Sequence, residues 1–250
     1  MKKIIWIDVG THFGQEYNSI FGTNFNFFKF ICRRFFGGNI LKRGKPVNIN
    51  GLREIIYART KIRKKSNEFY TVFIEANTKI VNKKNIYQNA DIVFNFALID
   101  HIQTSISITK LYLGDGNELS QGSSIFLEKD NVDRDSYITT LGVATNDFFS
   151  KLEMHFNKAF GEYDVLLRLN CEGIEDNVIY SAHKSFGSKL KLICGSLKDV
   201  EGVKGPGALR KLENFISNNK LLFIKFHSGI DTWPKAHNAV LNLLNEKDKG

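Results

Sequence analysis

The chain has little cysteine and little proline, and both scarcities exclude classes of protein. Its 250 residues include three prolines and three cysteines, Cys32, Cys171 and Cys194. The cysteines are odd in number, widely spaced and without a CxxC pair, which argues against a disulfide framework and against a cysteine-based zinc site. Scarce proline argues against long extended linkers. We therefore expect a protein of a reducing compartment.

Long apolar runs are missing as well. No segment reaches the roughly 18 apolar residues that a membrane-spanning helix needs. After Lys2 and Lys3 the first apolar stretch already ends at Asp8, which is too short for a signal peptide. Histidines and acids show no spacing typical of metal ligands, so we expect no dedicated metal site. These features predict a cytoplasmic protein. The basic segment described next leaves open an association with a membrane surface.

Positive charge is concentrated in one segment. The chain has a formal net charge of +9, yet residues 26–65 hold twelve Lys and Arg against one acid, Glu54, so the segment carries +11 and the rest of the chain −2. Phenylalanines are interleaved with these charges, as in residues 25–36. The segment fits an anionic substrate, such as an acidic glycan or a phosphorylated carrier, or a membrane surface. RNA, which we place behind these two, and a packed subdomain or oligomerisation arm with a solvated basic face are the other interpretations.

Strand-like and helix-like patterns alternate along most of the chain. Apolar runs predict strands at residues 3–9, 69–74, 91–98 and 163–169. Such alternation with helical stretches favours an α/β fold with a mainly parallel sheet covered by helices on both faces. We expect a single domain over residues 1–250, in which residues 22–68 form a basic aromatic insertion between the first and second core strands.

The most informative stretch follows the first predicted strand. It has the spacing D-x-G-x-x-x-G, which is neither the dinucleotide G-x-G-x-x-G nor a P-loop. A glycine lets the main chain come close to a ligand, and the N-terminus of the next helix offers unpaired N–H groups. The alternative is a purely structural strand-to-helix turn. The residues that this loop would offer to a cofactor are Asp8, Gly10, Thr11, His12, Phe13, Gly14 and Gln15.

The second predicted strand ends in an acid, Glu75. An acid at this position of a nucleotide-binding sheet grips the ribose, because a carboxylate accepts the protons of both sugar hydroxyls. The alternative for Glu75 is a solvated acid at the end of a strand. Together with the glycine loop, Glu75 indicates a nucleoside cofactor.

Four stretches, in this order, resemble the FkbM-like family of S-adenosylmethionine-dependent methyltransferases. They are residues 7–15 (IDVGTHFGQ), residues 73–77 (FIEAN, similar to F-E-P-N), residues 95–100 (NFALID, similar to N-x-A-L-x-D) and residues 167–175 (LRLNCEGIE, similar to L-K-I-D-x-E-G-x-E). Ser123 and Ser124 stand where the family often has a serine pair. The resemblance extends from about Lys3 to His183, outside the insertion.

This resemblance implies a Rossmann-like class I methyltransferase fold, S-adenosylmethionine as the cofactor, and methylation of a hydroxyl on a carbohydrate or glycan-linked substrate. The glycine loop would contact the methionine part and Glu75 the ribose, with Ala76 beside it. The adenine side would be held by Asn95, Phe96 and Ala97. For catalysis, the candidates are Glu172 as the acid/base or substrate-positioning group and Asn170 as the group that orients it.

The chain departs from the family at Asn170, where Asp is usual, at Arg168, where Lys is usual, and at Ala76, where Pro is usual. An amide is not a base at neutral pH, so proton removal falls to Glu172 or another group. Alternatively, Asn170 and Glu172 are the cap and first-turn acid of the following helix. Two other functions stay open: an RNA methyltransferase, whose binding would fall steeply with salt, and a non-catalytic cofactor-binding protein that uses the insertion to contact a membrane or a partner.

Overall fold

The computed structural model describes residues 2–35, 49–100, 105–115, 117, 119–120, 122–225 and 232–247. The strands among these residues are β1 (Lys3–Val9), β2 (Phe69–Ile74), β3 (Ile92–Phe94), β4 (Ala97–Ile99), β5 (Ile106–Gly114), β6 (Val132–Ala144), β7 (Tyr163–Leu169), β8 (Leu190–Gly195) and β9 (Phe223–Lys225). The helices are α1 (Gln15–Ile20), α2 (Asn24–Phe35), α3 (Ile49–Lys64), α4 (Thr78–Lys83), α5 (Thr145–Phe160), α6 (Glu175–Phe186), α7 (Lys198–Lys204), α8 (Pro206–Asn218) and α9 (Thr232–Lys247).

The described residues form one large parallel sheet with six strands in the order β3-β2-β1-β7-β8-β9. The chain moves outward from β1 to β3 and then returns to the other side of β1 with β7. The carboxyl ends of β1 and β7 therefore mark the point where the strand order reverses, which is where open α/β sheets bind their ligands. The predicted α/β class and parallel sheet are confirmed, and this strand order is compatible with a Rossmann-like fold.

Alternating side chains of β1 supply the cores on both faces of the sheet. Ile5 and Ile7 pack on one face against α5, α6 and α8. Ile4 and Trp6 pack on the other face against α1, α3, α4 and α9. Successive side chains of a strand point to opposite faces, so an uninterrupted apolar strand is stable only between two helical layers. The prediction of helices on both faces is confirmed.

The predicted strand at residues 91–98 divides between two sheets. Strand β3 ends at Phe94, whereas β4 begins at Ala97 and pairs with β6 in a second, three-stranded sheet of order β4-β6-β5. Between them lies Asn95, which is exposed and hydrogen-bonded to the chain around Glu75. The expectation of one continuous buried strand is therefore wrong, because these side-chain contacts turn the chain out of the parallel sheet.

The basic aromatic segment, residues 22–68, contains two helices that pack into the molecule. Residues 36–48 lie outside the described residues. Ala58 and Ile62 of α3 are fully buried in the core on one face of the sheet. Phe30 of α2 packs with residues of α3 and α9 in a smaller cluster. Helix α3 thus covers the sheet as the crossover from β1 to β2, so the second part of the segment contributes to the core.

A buried histidine joins the first and last helices. The Nδ1 atom of His237 lies 2.9 Å from the carbonyl oxygen of Trp233, and its Nε2 atom lies 3.2 Å from the hydroxyl of Ser19. A carbonyl oxygen can only accept, so the neutral ring carries its proton on Nδ1. The single proton of the Ser19 hydroxyl is then shared between Nε2 of His237 and the carbonyl oxygen of Glu16, which lies 2.6 Å away. Burial disfavours the imidazolium ion and lowers the pKa of His237 from 6.5 to about 4.

We expect His237 to weaken the fold in acid. The unfolded chain takes up this proton near pH 6.5 and the folded chain only near pH 4, so protonation favours unfolding between these values. The contribution of the neutral ring to the free energy of unfolding has its full value above about pH 6.5 and falls by about 3 kcal/mol as the pH approaches 4. Urea denaturation of the wild type and of His237→Gln across this range should show their difference in free energy of unfolding shrinking accordingly.

The matched control is His155→Gln, which changes an exposed histidine of α5. It removes a histidine without touching the contacts of His237. Comparing each variant with the wild type cancels the titration of buried carboxyls such as Glu175, whose proton uptake has the opposite effect on stability. A pH-independent difference for His237→Gln would contradict the assignment.

Candidate functional site

A cavity of about 530 Å³, including its open mouth, lies at the carboxyl ends of β1, β2 and β7. Its walls come from the loops after these strands, from the start of β4 and from the loop before β6. Of the residues predicted from sequence, the cavity brings together Gly10, His12, Glu75, Ala76, Phe96, Ala97, Asn170 and Glu172, with Ser123 and Ser124 beside them.

A second, polar hollow of about 360 Å³ adjoins the cavity. It is lined by Thr11, His12, Phe13, Gln15, Glu16, Arg168 and Asn170. His12 and Asn170 line both spaces and therefore form the boundary between them. Among the predicted cofactor residues, Asp8, Gly14 and Asn95 line neither space, so these three have other roles.

Gly10 joins the loops after β1 and β7. A Cβ atom at this position would lie 2.1 Å from the main-chain oxygen of Asn170, and the residue has φ of +68°. Its N–H donates to the carbonyl of Ile74 at 2.9 Å. We expected the missing side chain of Gly10 to let a ligand approach the main chain. Instead, it makes room for the neighbouring loop, and the N–H of Gly10 already donates a hydrogen bond within the protein.

Glu75 holds the loops after β1 and β2 in place. Its side chain is only 4% exposed. One carboxylate oxygen accepts from the N–H of His12 and the other from the N–H of Asn77, both at 2.9 Å. The alternative of a solvated strand-end acid is thus wrong. Each oxygen has a second lone pair, so the carboxylate can still accept protons from ligand hydroxyls.

Asn95 braces the main chain around Glu75. Its amide nitrogen donates to the carbonyl of Glu75 at 2.7 Å, and its oxygen accepts from the hydroxyl of Thr78 at 2.8 Å. The apolar residues that follow, Phe96 and Ala97, do line the cavity. Of the predicted adenine-side segment, two residues therefore face the cavity and the first one supports them from outside.

Asp8 acts on the glycine loop through a buried arginine. Its carboxylate accepts from Arg168 at 2.9 Å, and the same guanidinium donates to the carbonyl of Gly10 at 2.6 Å and pairs with Glu16 at 2.9 Å. Burial of Arg168 disfavours its charge, but the two carboxylates outweigh this, and the pKa of the guanidinium lies above its ordinary value. Asp8 is thus a structural partner, where sequence predicted a cofactor contact.

Glu172 is a buried cavity acid with a partner that sequence reasoning missed. Its backbone has φ of +61°, and its carboxylate lies 2.6 Å from the ammonium of Lys129. The hydroxyl of Ser124 donates to its main-chain carbonyl at 2.7 Å. Burial raises the pKa of Glu172 above its ordinary value, although Lys129 opposes the shift. Non-glycine residues at positive φ are strained and concentrate at functional sites.

The ring of His12 lies between two acids. Its Nδ1 atom is 3.7 Å from Glu75 and its Nε2 atom 3.9 Å from Glu172. Both nitrogens are buried and have no hydrogen-bond partner among the described residues. The residue has φ of +51°, so His12 and Glu172 are two strained positions whose side chains lie next to each other in the cavity wall. An unpartnered imidazole in this place is available to a polar ligand.

The helix-capping alternative for Asn170 and Glu172 is wrong. Helix α6 begins at Glu175 with Ile174 as its cap residue. The Glu175 carboxylate accepts from the N–H groups of Cys171 at 3.0 Å and Gly173 at 2.9 Å, so it fills the first-turn role. Burial raises the pKa of Glu175 to about 7. Asn170 and Glu172 are left to line the cavity.

Neither a metal centre nor a membrane span is found in the part of the chain that the structure describes. Its His, Cys, Asp and Glu side chains form no group of three or more that could hold a metal ion. Within the same ranges, no helix combines the length and the apolar character needed to cross a bilayer.

Comparison of the chain with models of protein families, with curated proteins and with solved structures gives no match.

We expect Gly10→Ala to disturb the site through the fold. The added Cβ meets the Asn170 carbonyl and the positive φ disfavours any side chain, so the free energy of unfolding should fall by at least about 2 kcal/mol. The matched control is Gly202→Ala in α7, where the added Cβ meets no atom within 4 Å. Alanine should raise stability there by about 0.5–1 kcal/mol. Equal effects in chemical denaturation would contradict this role of Gly10.

Proposed function

We propose that this chain is an S-adenosylmethionine-dependent methyltransferase that acts on a hydroxyl of a carbohydrate or glycan-linked substrate. The observation that carries the proposal is convergence: residues from all four FkbM-like stretches, spread from Gly10 to Glu172, line one cavity at the reversal point of a parallel sheet. The carbohydrate acceptor is inferred from the resemblance alone.

The chemistry of the cavity lining suits this cofactor. Glu75 offers a buried carboxylate to the ribose hydroxyls, and Phe96, Ala97 and Leu98 offer an apolar wall to the adenine. The carboxylates of Glu75 and Glu172 both line the cavity and favour a positively charged ligand in it. When bound, S-adenosylmethionine supplies an electrophilic methyl group on a cationic sulfur.

The residues at the boundary of the two spaces suit the task of preparing a hydroxyl for methylation. Methyl transfer to a hydroxyl requires alignment of the acceptor and removal of its proton. We assign the acceptor hydroxyl to the part of the cavity beside Glu172, next to this boundary, and proton removal to Glu172, since a raised pKa makes a carboxylate a better base near neutral pH. Lys129 fixes one Glu172 oxygen and leaves the other towards His12. Asn170 lines both spaces and orients the acceptor.

Calorimetric titration with S-adenosylhomocysteine tests the cofactor assignment. We expect saturable binding to the wild-type chain, and an affinity at least roughly tenfold lower for Glu75→Gln, because the amide loses acceptor capacity towards the ribose. The matched control is Asp91→Asn, whose carboxylate accepts from the N–H of Thr71 at 2.7 Å before the start of β3, away from the cavity. It should bind like the wild type. Failure of the wild type to bind would overturn the cofactor assignment.

Exchange of Glu172 for Gln tests the catalytic assignment. We expect methyl transfer from labelled S-adenosylmethionine to glycan acceptors to fall by roughly 10²–10⁴-fold, while S-adenosylhomocysteine affinity changes little. The control is Glu153→Gln, which changes an acid of α5 that pairs with Lys189 at 3.8 Å and lines neither space, and which should turn over like the wild type. Unchanged turnover in Glu172→Gln would remove Glu172 from the mechanism.

Cofactor binding by the wild type without turnover on any acceptor would favour the non-catalytic alternative, which the amide of Asn170 keeps open.

A further inference from the structure

Helix α3 is apolar on two opposite sides. One side is fully buried: Ala58 and Ile62 cover the sheet, and Ile55 packs against α2 and α9. The other side points to solvent, and we call it the α3 outer face. Its residues recur at helical spacing and are Ile49, Arg53, Ile56, Tyr57, Lys61 and Lys64. Ile49 is 58%, Ile56 46% and Tyr57 60% exposed. A helix that only covers a core would have a polar outer side.

The α3 outer face is strongly basic. Helix α3 carries five Lys and Arg residues and one acid, Glu54, which gives it a net charge of +4. Glu54 is exposed at the edge of this face, two turns before Lys61, and its carboxylate accepts from the side chain of Asn238 in α9 at 2.9 Å. Within the described residues, Arg53, Lys61 and Lys64 take part in no ion pair. The charge of this face is therefore not neutralised by the rest of the described chain.

Helix α2 adds exposed aromatic rings beside α3. Phe25 and Phe28, one turn apart, are 65% and 64% exposed, and the ammonium of Lys29 lies 4.3 Å from the ring centre of Phe25. The two helices pack together, and the guanidinium of Arg63 donates to the side-chain oxygen of Asn24 at 2.9 Å. The α2–α3 pair thus exposes large apolar side chains between unneutralised cations.

We propose that the α3 outer face, with Phe25 and Phe28, binds an anionic lipid surface. Apolar side chains of an interfacial helix enter the boundary between head groups and acyl chains, while Lys and Arg bind anionic head groups. The long stems of these basic residues lie along the apolar surface and carry their charges outward. The described helices are not suited to spanning a bilayer, so the contact is made from one side of the membrane.

The exposed isoleucines favour lipid over RNA. Aromatic side chains bind unpaired bases by stacking, and basic ones bind phosphates. Ile49 and Ile56 have no ring to stack, so their exposure is offset only by transfer into an apolar medium. Two aliphatic and three aromatic side chains among the cations therefore match a lipid surface better than a nucleic acid.

Vesicle co-sedimentation of the full chain tests the proposal. We expect binding to phosphatidylcholine vesicles that contain phosphatidylserine, and at least roughly tenfold weaker binding to phosphatidylcholine alone. The double variant Ile56→Ser, Tyr57→Ser should weaken binding to the anionic vesicles at least roughly tenfold. The double variant Lys61→Glu, Lys64→Glu should do so as well and should abolish the preference for phosphatidylserine.

The matched control changes Lys151→Glu, Met154→Ser and Lys158→Glu on the exposed side of α5, which covers the opposite face of the sheet. It should sediment like the wild type. Thermal unfolding of all variants shows whether each one is folded, and S-adenosylhomocysteine calorimetry shows whether its cofactor site is intact. Failure of vesicle binding can therefore be distinguished from failure of the proposed enzymatic function. The proposal is overturned by a wild type that ignores anionic vesicles, by equal loss in the control, or by salt-sensitive binding of single-stranded RNA without vesicle binding. Self-association that Ile56→Ser, Tyr57→Ser abolishes, without vesicle binding, would overturn it in favour of a second copy of this chain.

Discussion

The buried guanidinium of Arg168 is the contact on which the site depends. It extends from β7 to Asp8 at the end of β1, to the carbonyl of Gly10 and to Glu16 in α1. A buried charge is costly unless it is paired and hydrogen-bonded, and removal of one partner leaves the others uncompensated. The same contacts hold the first loop against the loop after β7, where Gly10 touches Asn170. One buried cation therefore ties β7 to the end of β1, to the glycine loop and to α1 beside the polar hollow.

Local sequence patterns predict the parallel sheet and its helical layers, whereas contacts between distant residues decide where a predicted strand is interrupted. The apolar run from Ile4 to Val9 has enough information to define a strand buried on both sides, and the structure has that strand. The apolar pattern also continues through residues 91–98, yet the chain breaks there at Asn95. The cause is the hydrogen bond from Asn95 to the carbonyl of Glu75, twenty residues earlier in the chain. No periodicity within the stretch can reveal such a contact.

Prediction from sequence has the same limit at the candidate site. The residues that line the cavity were largely predictable, because the ends of parallel strands meet at one edge and sequence shows where strands end. The charged groups that pair with these residues were not predictable. Lys129 lies in a polar loop 43 residues before Glu172, and nothing in its neighbourhood marks it as the counter-ion. Asp8 looked like a ligand contact because it closes a strand, whereas its charge is taken up by Arg168. Pairing of charges is a three-dimensional property that spacing alone does not encode.

The second sheet has a consequence for how this protein can change over evolution. The loop between β5 and β6 brings Ser120, Ser123, Ser124 and Ile125 to the cavity, and it belongs to the small sheet rather than to the parallel one. Loops accept substitutions and insertions more readily than the buried strands that carry them. Drift in this loop can therefore reshape one wall and alter which molecules are admitted, while the glycine turn, Glu75 and the pairing of β1 with β7 stay unchanged.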